Sequence, residues 1–399
     1  MDAASVLQQR IDELAITVAE LETLGQGARV YQQWTSTPIY FLSSRGHVLK
    51  EKNSELERLK SGRLNLLYVT TKSYTQYLFC GPRVPSWDFR TTLGRDVFWY
   101  VGHADTSRLL FKASSKHWGN IINFSERRRL GDRYPSTVSC VRIAAVPVSV
   151  DISQSAGRWA KQLLRISTDA IDSGNTIGAE RIANTGIGKQ KNGDKVVLYF
   201  HGGSYITGNL DVYRNLHARL SSETRLPVYP IEYQLAPQFK YPTQLYDAYC
   251  AYMYLRHDLK YNAGDIVISG DSAGGNLALA LWQLIHSHNE TMAALVLLSP
   301  RVDATRSHPF VAPINANLSE LPPTLIQASS LESMFSDIDE FATRAIASVQ
   351  KFRGMVNGSG HVRFQVIPDG MHAFHLVTPD MRGVDVFWHN IGTFVQSLQ

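Results

Sequence analysis

From residue 194 onward the sequence alternates between short runs of continuous apolar character and longer segments with helical spacing. The apolar runs are VVLYF (196–200), LPVYPIEY (226–233), DIVIS (265–269), AALVLL (293–298), PTLIQA (323–328) and HVRFQVI (361–367). Helical stretches fall between them at about 212–223, 241–258, 273–288, 336–350 and 383–398. A strand that is apolar at successive positions is buried on both faces, and a mostly parallel sheet covered by helices provides that environment. The fold class is therefore α/β. The β-branched run TVSCVRIAAVPVSV (137–150) is expected to open the sheet. In such sheets ligands sit at the carboxyl ends of the strands, so the chemistry should lie in the loops that follow them.

The remainder of the chain is less regular. Leu7, Ile11, Leu14, Val18 and Leu21 recur at spacings of 4, 3, 4 and 3, so residues 2–24 read as a helix that Gly25 stops. Its stripe is expected to pack on the chain's own body or in a lid; the alternative is pairing with a second copy in a homodimer. Between about 26 and 140, aromatic residues such as Tyr31, Trp34, Trp87 and Trp99 mix with turn formers, and no element is assigned. The expected division is an N-terminal extension and cap or lid region over 1–135 and a catalytic domain over 136–399.

Composition excludes several classes. With 44% hydrophobic and 19% charged residues, the chain has ample material for a core and too little charge to be disordered. A net charge of +5 over 399 residues is a weak field, and the run Arg127, Arg128, Arg129 reads as a solvated face, so no nucleic-acid partner is expected. Cys80, Cys140 and Cys250 show no metal-ligand spacing and leave at least one thiol unpaired, which fits a reducing compartment. Arg10 and several acids interrupt the N-terminal segment where a signal peptide needs an apolar core. Lys72, Ser73 and Gln76 break the stretch Leu64–Cys80, so no membrane span is expected and a cytoplasmic location is.

The strand DIVIS runs directly into GDSAGGNLALALWQLI, where Gly270, Ser272 and Gly274 form G-x-S-x-G at a strand-to-helix boundary. So tight a turn needs tiny residues on either side of the serine, and it holds Ser272 Oγ above the sheet at the positive end of a helix. The N–H of Ala273 then faces the same space. After VVLYF comes HGGSYITGN, where the amides of Gly203 and Ser204, and in addition Gly202, are candidate donors to a developing oxyanion. A serine nucleophile needs a base held by a carboxylate. SSLESMFSD offers Glu332, Asp337 and Asp339, and PDGMHAFH offers His372 and His375. The order serine, acid, histidine is that of G-x-S-x-G sheet enzymes.

Taken together, HGGSY, YQLAPQFKYP (233–242), GDSAGGN and ESMFSD resemble, in order, the motifs of the hormone-sensitive-lipase family of α/β-hydrolase-fold serine esterases. That resemblance implies a mostly parallel central sheet flanked by helices. It also implies Ser272 as nucleophile, Glu332 as acid and His372, followed by Ala373 and Phe374, as base; Asp337 matches the second, structural carboxylate of the acid motif. Ser204 departs from the family by replacing the third glycine of HGGG, Glu332 stands where aspartate is commoner, and His372 follows Met371 directly. His201 also arrives later than in relatives, which implies an enlarged N-terminal cap. The implied substrate is a carboxylic ester with a short to medium acyl chain, or an acetylated small metabolite, with no metal or organic cofactor. The alternatives are an acyltransferase, an enzyme that releases an acyl chain in a biosynthetic pathway, and a ligand-binding receptor on the same fold.

Overall fold

The computed structural model describes residues 3–24, 29–33, 40–44, 46–54, 56–57, 92, 134–148, 158–187, 194–302, 308–353, 361–377 and 383–398. The stretch Leu64–Cys80, Trp34, Trp87, Trp99 and the Arg127–Arg129 run lie outside them. The chain forms two compact units, Met1–Ile121 and Ile122–Gln399.

In the first unit, helix α1 (Ala3–Thr23) precedes an antiparallel pair, β1 (Arg29–Gln33) and β2 (Tyr40–Ser44). The apolar spacing that predicts α1 also sets its packing. Leu14 and Val18 bury against Leu56, with Leu49 beside them, so this part of the stripe is covered by residues of its own unit.

The second unit is built on an eight-stranded sheet in the order β10-β9-β8-β7-β5-β6-β4-β3. Its strands are β3 (Ser136–Ala144), β4 (Thr176–Asn184), β5 (Val196–Phe200), β6 (Val228–Glu232), β7 (Ile266–Asp271), β8 (Ala294–Leu298), β9 (Thr324–Ser329) and β10 (Val362–Ile367). From β6 to β10 every pairing is parallel, whereas β4 and β3 join antiparallel at one edge. Each expected strand from residue 194 onward is present within a few residues of its expected bounds. The helices are α2 (Arg158–Asp172), α3 (Leu210–Thr224), α4 (Thr243–Met253), α5 (Ala273–His286), α6 (Phe335–Arg353), α7 (Phe374–Val377) and α8 (Val384–Gln396). The helix expected over 241–258 ends at Met253, and residues 254–258 continue as a wider π turn.

Residue alternation separates the two faces of the sheet. Val196, Leu198 and Phe200 of β5 and Ile266 and Ile268 of β7 join one core with α4, α5 and α6. Tyr199 faces the other way, toward Tyr213 and His217 of α3. Helix α3 packs there against β4, β6 and α8.

Strand register positions the site. Phe200 at the end of β5 pairs with Gly270, Asp271 with Leu298, Leu298 with Gln327, and Ser329 with Ile367. The loops after β5, β7, β9 and β10 therefore leave the sheet side by side, on the edge where an α/β sheet holds its ligands.

Candidate active site

The turn after β7 is as tight as its glycines suggest. Ser272 has φ 51° and ψ −116°, outside the ordinary range of a residue with a Cβ, and α5 begins at the next residue. Its N–H donates to Leu298 O at 3.0 Å, and its carbonyl accepts from Arg301 N–H at 2.9 Å and Asn276 N–H at 3.1 Å, so neighbouring strands and the helix fix the turn. Gly274 lies against the start of the loop after β5: a Cβ there would strike the Phe200 carbonyl and come 2.6 Å from His201 O.

Ser272 Oγ lies 2.9 Å from His372 Nε2, and His372 Nδ1 lies 2.7 Å from Glu332 Oε2. Glu332 Oε1 accepts from the Ser329 N–H at 2.8 Å, which anchors the acid to the end of β9. The acid and histidine loops are laced together, because Asp369 N–H donates to Ser330 Oγ at 2.9 Å and Leu331 N–H to Gly370 O at 3.1 Å. Gly370 fits closely there, since a Cβ would meet Ser329 Oγ at 2.5 Å. Asp337 sits in the first turn of α6, and His372 pairs with Glu332 instead. His375 is turned away into an aromatic box, stacked on Phe387 at 5.1 Å. It is 3% exposed, and burial lowers its pKa to about 3.

Of the residues expected to donate to an oxyanion, Gly203 and Ser204 lie on the loop after β5 and Ala273 opens α5. Among the described residues the N–H groups of Gly203, Ser204 and Ala273 have no hydrogen-bond partner. Gly203 has φ 111°, which glycine adopts freely, and Ser204 follows at φ 56°. The expectation that Gly202 also serves an oxyanion is corrected, because its N–H donates to Asp271 Oδ1 at 2.8 Å inside the core. Its carbonyl accepts from His201 Nδ1 at 2.7 Å, so both faces of this residue are committed. Burial lowers the His201 pKa to about 4, which keeps the ring neutral with Nδ1–H as the donor. Tyr233 stacks on that ring at 4.3 Å and donates its hydroxyl to His201 O at 2.6 Å.

Asp271 is the residue that sequence reasoning overlooked. Its carboxylate is 1% exposed and accepts from Tyr199 OH at 2.9 Å and Tyr213 OH at 3.0 Å as well as from Gly202. Burial pushes its pKa up to about 6 against the pull of these donors. The signal was its place inside G-D-S-A-G; its partners are scattered over β5 and α3 and carry no spacing. Among the described residues no group of three or more His, Cys, Asp or Glu side chains is placed to hold a metal ion, and no helix is long and apolar enough to cross a membrane.

Known proteins are similar to this chain in sequence and fold. The profile of a family described as α/β-hydrolase fold matches residues 197–307. An esterase of Acinetobacter venetianus is 31% identical over 194 residues, which are 39% of this chain and 63% of that protein. The carboxylesterase/phospholipase LipF of Mycobacterium tuberculosis is 27% identical over 257 residues, 55% of this chain and 66% of LipF. The chain thus spans a little under two thirds of each of these relatives. The crystal structure of esterase LipW from Mycobacterium marinum superposes with a TM-score of 0.56 at 17% identity, covering 74% of this chain and 91% of LipW, a likeness of fold.

Proposed function

We propose that this chain, whose residues 197–307 match an α/β-hydrolase-fold family and whose motifs resemble those of the hormone-sensitive-lipase family, is a carboxylic ester hydrolase working through Ser272, His372 and Glu332. The observation that carries this reading is the continuous hydrogen-bond chain from Ser272 Oγ through both nitrogens of His372 to Glu332. That chain also favours a catalyst over a receptor on the same fold.

The reaction divides into two acyl-transfer steps. His372 Nε2 takes the hydroxyl proton as Ser272 Oγ bonds to the ester carbonyl carbon, while Glu332 holds the ring and stabilises its charged form. The carbonyl oxygen, now negative, receives the free N–H groups of Gly203, Ser204 and Ala273. His372 then protonates the departing alcohol, leaving an acyl-enzyme. In the second step the same ring takes a proton from the water that attacks the acyl carbon, then returns it to Ser272 Oγ as the bond from Oγ to the acyl carbon breaks and the carboxylic acid leaves.

The substrate is an uncharged ester of short to medium acyl chain or an acetylated small metabolite. A series of p-nitrophenyl esters of increasing chain length, assayed with water alone and with added alcohols, tests this. Hydrolysis highest on the shorter chains is expected. Acyl transfer to alcohol outrunning hydrolysis would make the protein an acyltransferase, and no turnover of any ester would overturn the reading.

A further inference from the structure

Three neutral donors converge on a single buried carboxylate directly behind the nucleophile. Asp271 Oδ1 accepts from Gly202 N–H and Tyr199 OH, and Oδ2 accepts from Tyr213 OH, at 2.8, 2.9 and 3.0 Å. None of the three is a cation, so no ion pair with them offsets the burial of the carboxylate, an arrangement that costs stability. Covalent connectivity gives it a use. Asp271 is peptide-bonded to Ser272, and Gly202 to Gly203, so the carboxylate joins the nucleophile turn to the oxyanion loop across the β5–β7 pair. The fit is close, because a Cβ on Gly202 would lie 3.0 Å from Asp271 O and overlap its Oδ2.

We propose that Asp271 is a positioning residue for the reaction of Ser272: by holding the Gly202 amide it fixes the peptide that follows, so that Gly203 N–H meets the acyl oxygen. Tyr199 and Tyr213 hold the carboxylate in turn. The role assigned is one of geometry, because the charge works both ways: it opposes a forming oxyanion and favours the charged His372 ring. Misplacement of a reacting group by about 1 Å can cost about 100-fold in rate, so a loosened loop should be visible in kcat. The proposal rests on the serine-esterase reading above.

The test is kcat per active site, counted by complete titration with a fluorophosphonate, so that misfolded protein drops out of the comparison. Asp271→Ala is expected to lower kcat per site about 100-fold with KM within about 2-fold of wild type. Asp271→Asn keeps an oxygen toward Gly202 and Tyr199, while its amide faces the Tyr213 hydroxyl, which can turn to accept; kcat within about 3-fold is expected, a rescue by the conservative variant. Tyr213→Phe removes one support and should lower kcat per site by roughly 3- to 10-fold, about the worth of one hydrogen bond. It also decides the question should Asp271→Ala fail to fold. Unchanged kcat per site in Asp271→Ala, or in Tyr213→Phe should Asp271→Ala fail to fold, would overturn the proposal, as would Asp271→Asn falling as far as Asp271→Ala, which would assign the role to charge. A wild-type protein that neither hydrolyses esters nor takes the probe would instead sink the esterase reading itself.

Discussion

Glu332 divides its two oxygens between His372 Nδ1, at 2.7 Å, and the Ser329 amide, at 2.8 Å. One oxygen is thus tied to the end of β9 and the other orients the base. In Glu332→Gln the side-chain amide would compete for both sites, and Nδ1–H would lose its charged acceptor. A fall in kcat of roughly 1,000- to 10,000-fold with the fold intact is expected, the scale of an acid-to-amide change in such a triad. Asp337→Asn, altered in the first turn of α6, should stay within about 2-fold on the same p-nitrophenyl ester, because surface and half-buried changes away from the reacting atoms cost little.

Gly274→Ala should damage stability and activity together. Its Cβ would collide with the Phe200 carbonyl and press on His201 O, forcing the end of β5 away from the nucleophile turn. Overpacking of this kind costs about 1–3 kcal/mol. A lower urea midpoint with a reduced kcat is expected, and an unchanged midpoint would contradict the close packing of these two loops.

Ser204→Gly should act in the opposite direction on stability. Ser204 holds φ 56°, in the left-handed region where a Cβ is penalised by roughly 1–2 kcal/mol. Replacement by glycine is expected to stabilise the protein by about 1 kcal/mol, less than the full strain because glycine is freer in the unfolded chain. The amide remains, so kcat should stay within about 3-fold of wild type. Thermal unfolding and initial rates check both parts.

His375 gives a pH prediction. Its folded pKa is lowered to about 3 by burial, below the ordinary histidine value of 6.5, so the unfolded chain binds this proton more readily than the native one. The stability contributed by the neutral ring is full above about pH 6.5 and is lost as pH falls toward 3. In His375→Phe that loss is absent. The difference in Tm between variant and wild type should therefore move in the variant's favour from pH 8 to pH 5. A difference that does not change with pH would contradict a neutral, buried His375.

The strands and helices from 194 onward were legible because burial on both sheet faces leaves continuous apolar runs, and because Gly270 and Gly274 mark the one turn that must be tight. Ser272, Glu332 and His372, which one hydrogen-bond chain joins, stand out in the sequence through their motifs and chain order. Helix α2 and strand β4 were not anticipated. In α2 the buried positions Leu163, Ser167 and Ala170 include a serine, which hides the stripe, although the spacing of 4 and 3 was there to find. Strand β4 carries Gly178, Glu180 and Arg181, and its buried Glu180 pairs with Arg214 from α3, a partner distant in sequence. The same reason hid the cluster around Asp271: Tyr199 and Tyr213 lie in no motif, and only the fold brings their hydroxyls to one carboxylate.

The most direct test of the central claim is covalent labelling of the folded full-length chain with a fluorophosphonate, followed by mass-spectrometric mapping of the adduct. A single adduct on Ser272, formed by native protein, abolished by denaturation and slowed in His372→Ala, is the expected result. A folded protein that leaves Ser272 unmodified, or that carries the adduct on another residue, would contradict it.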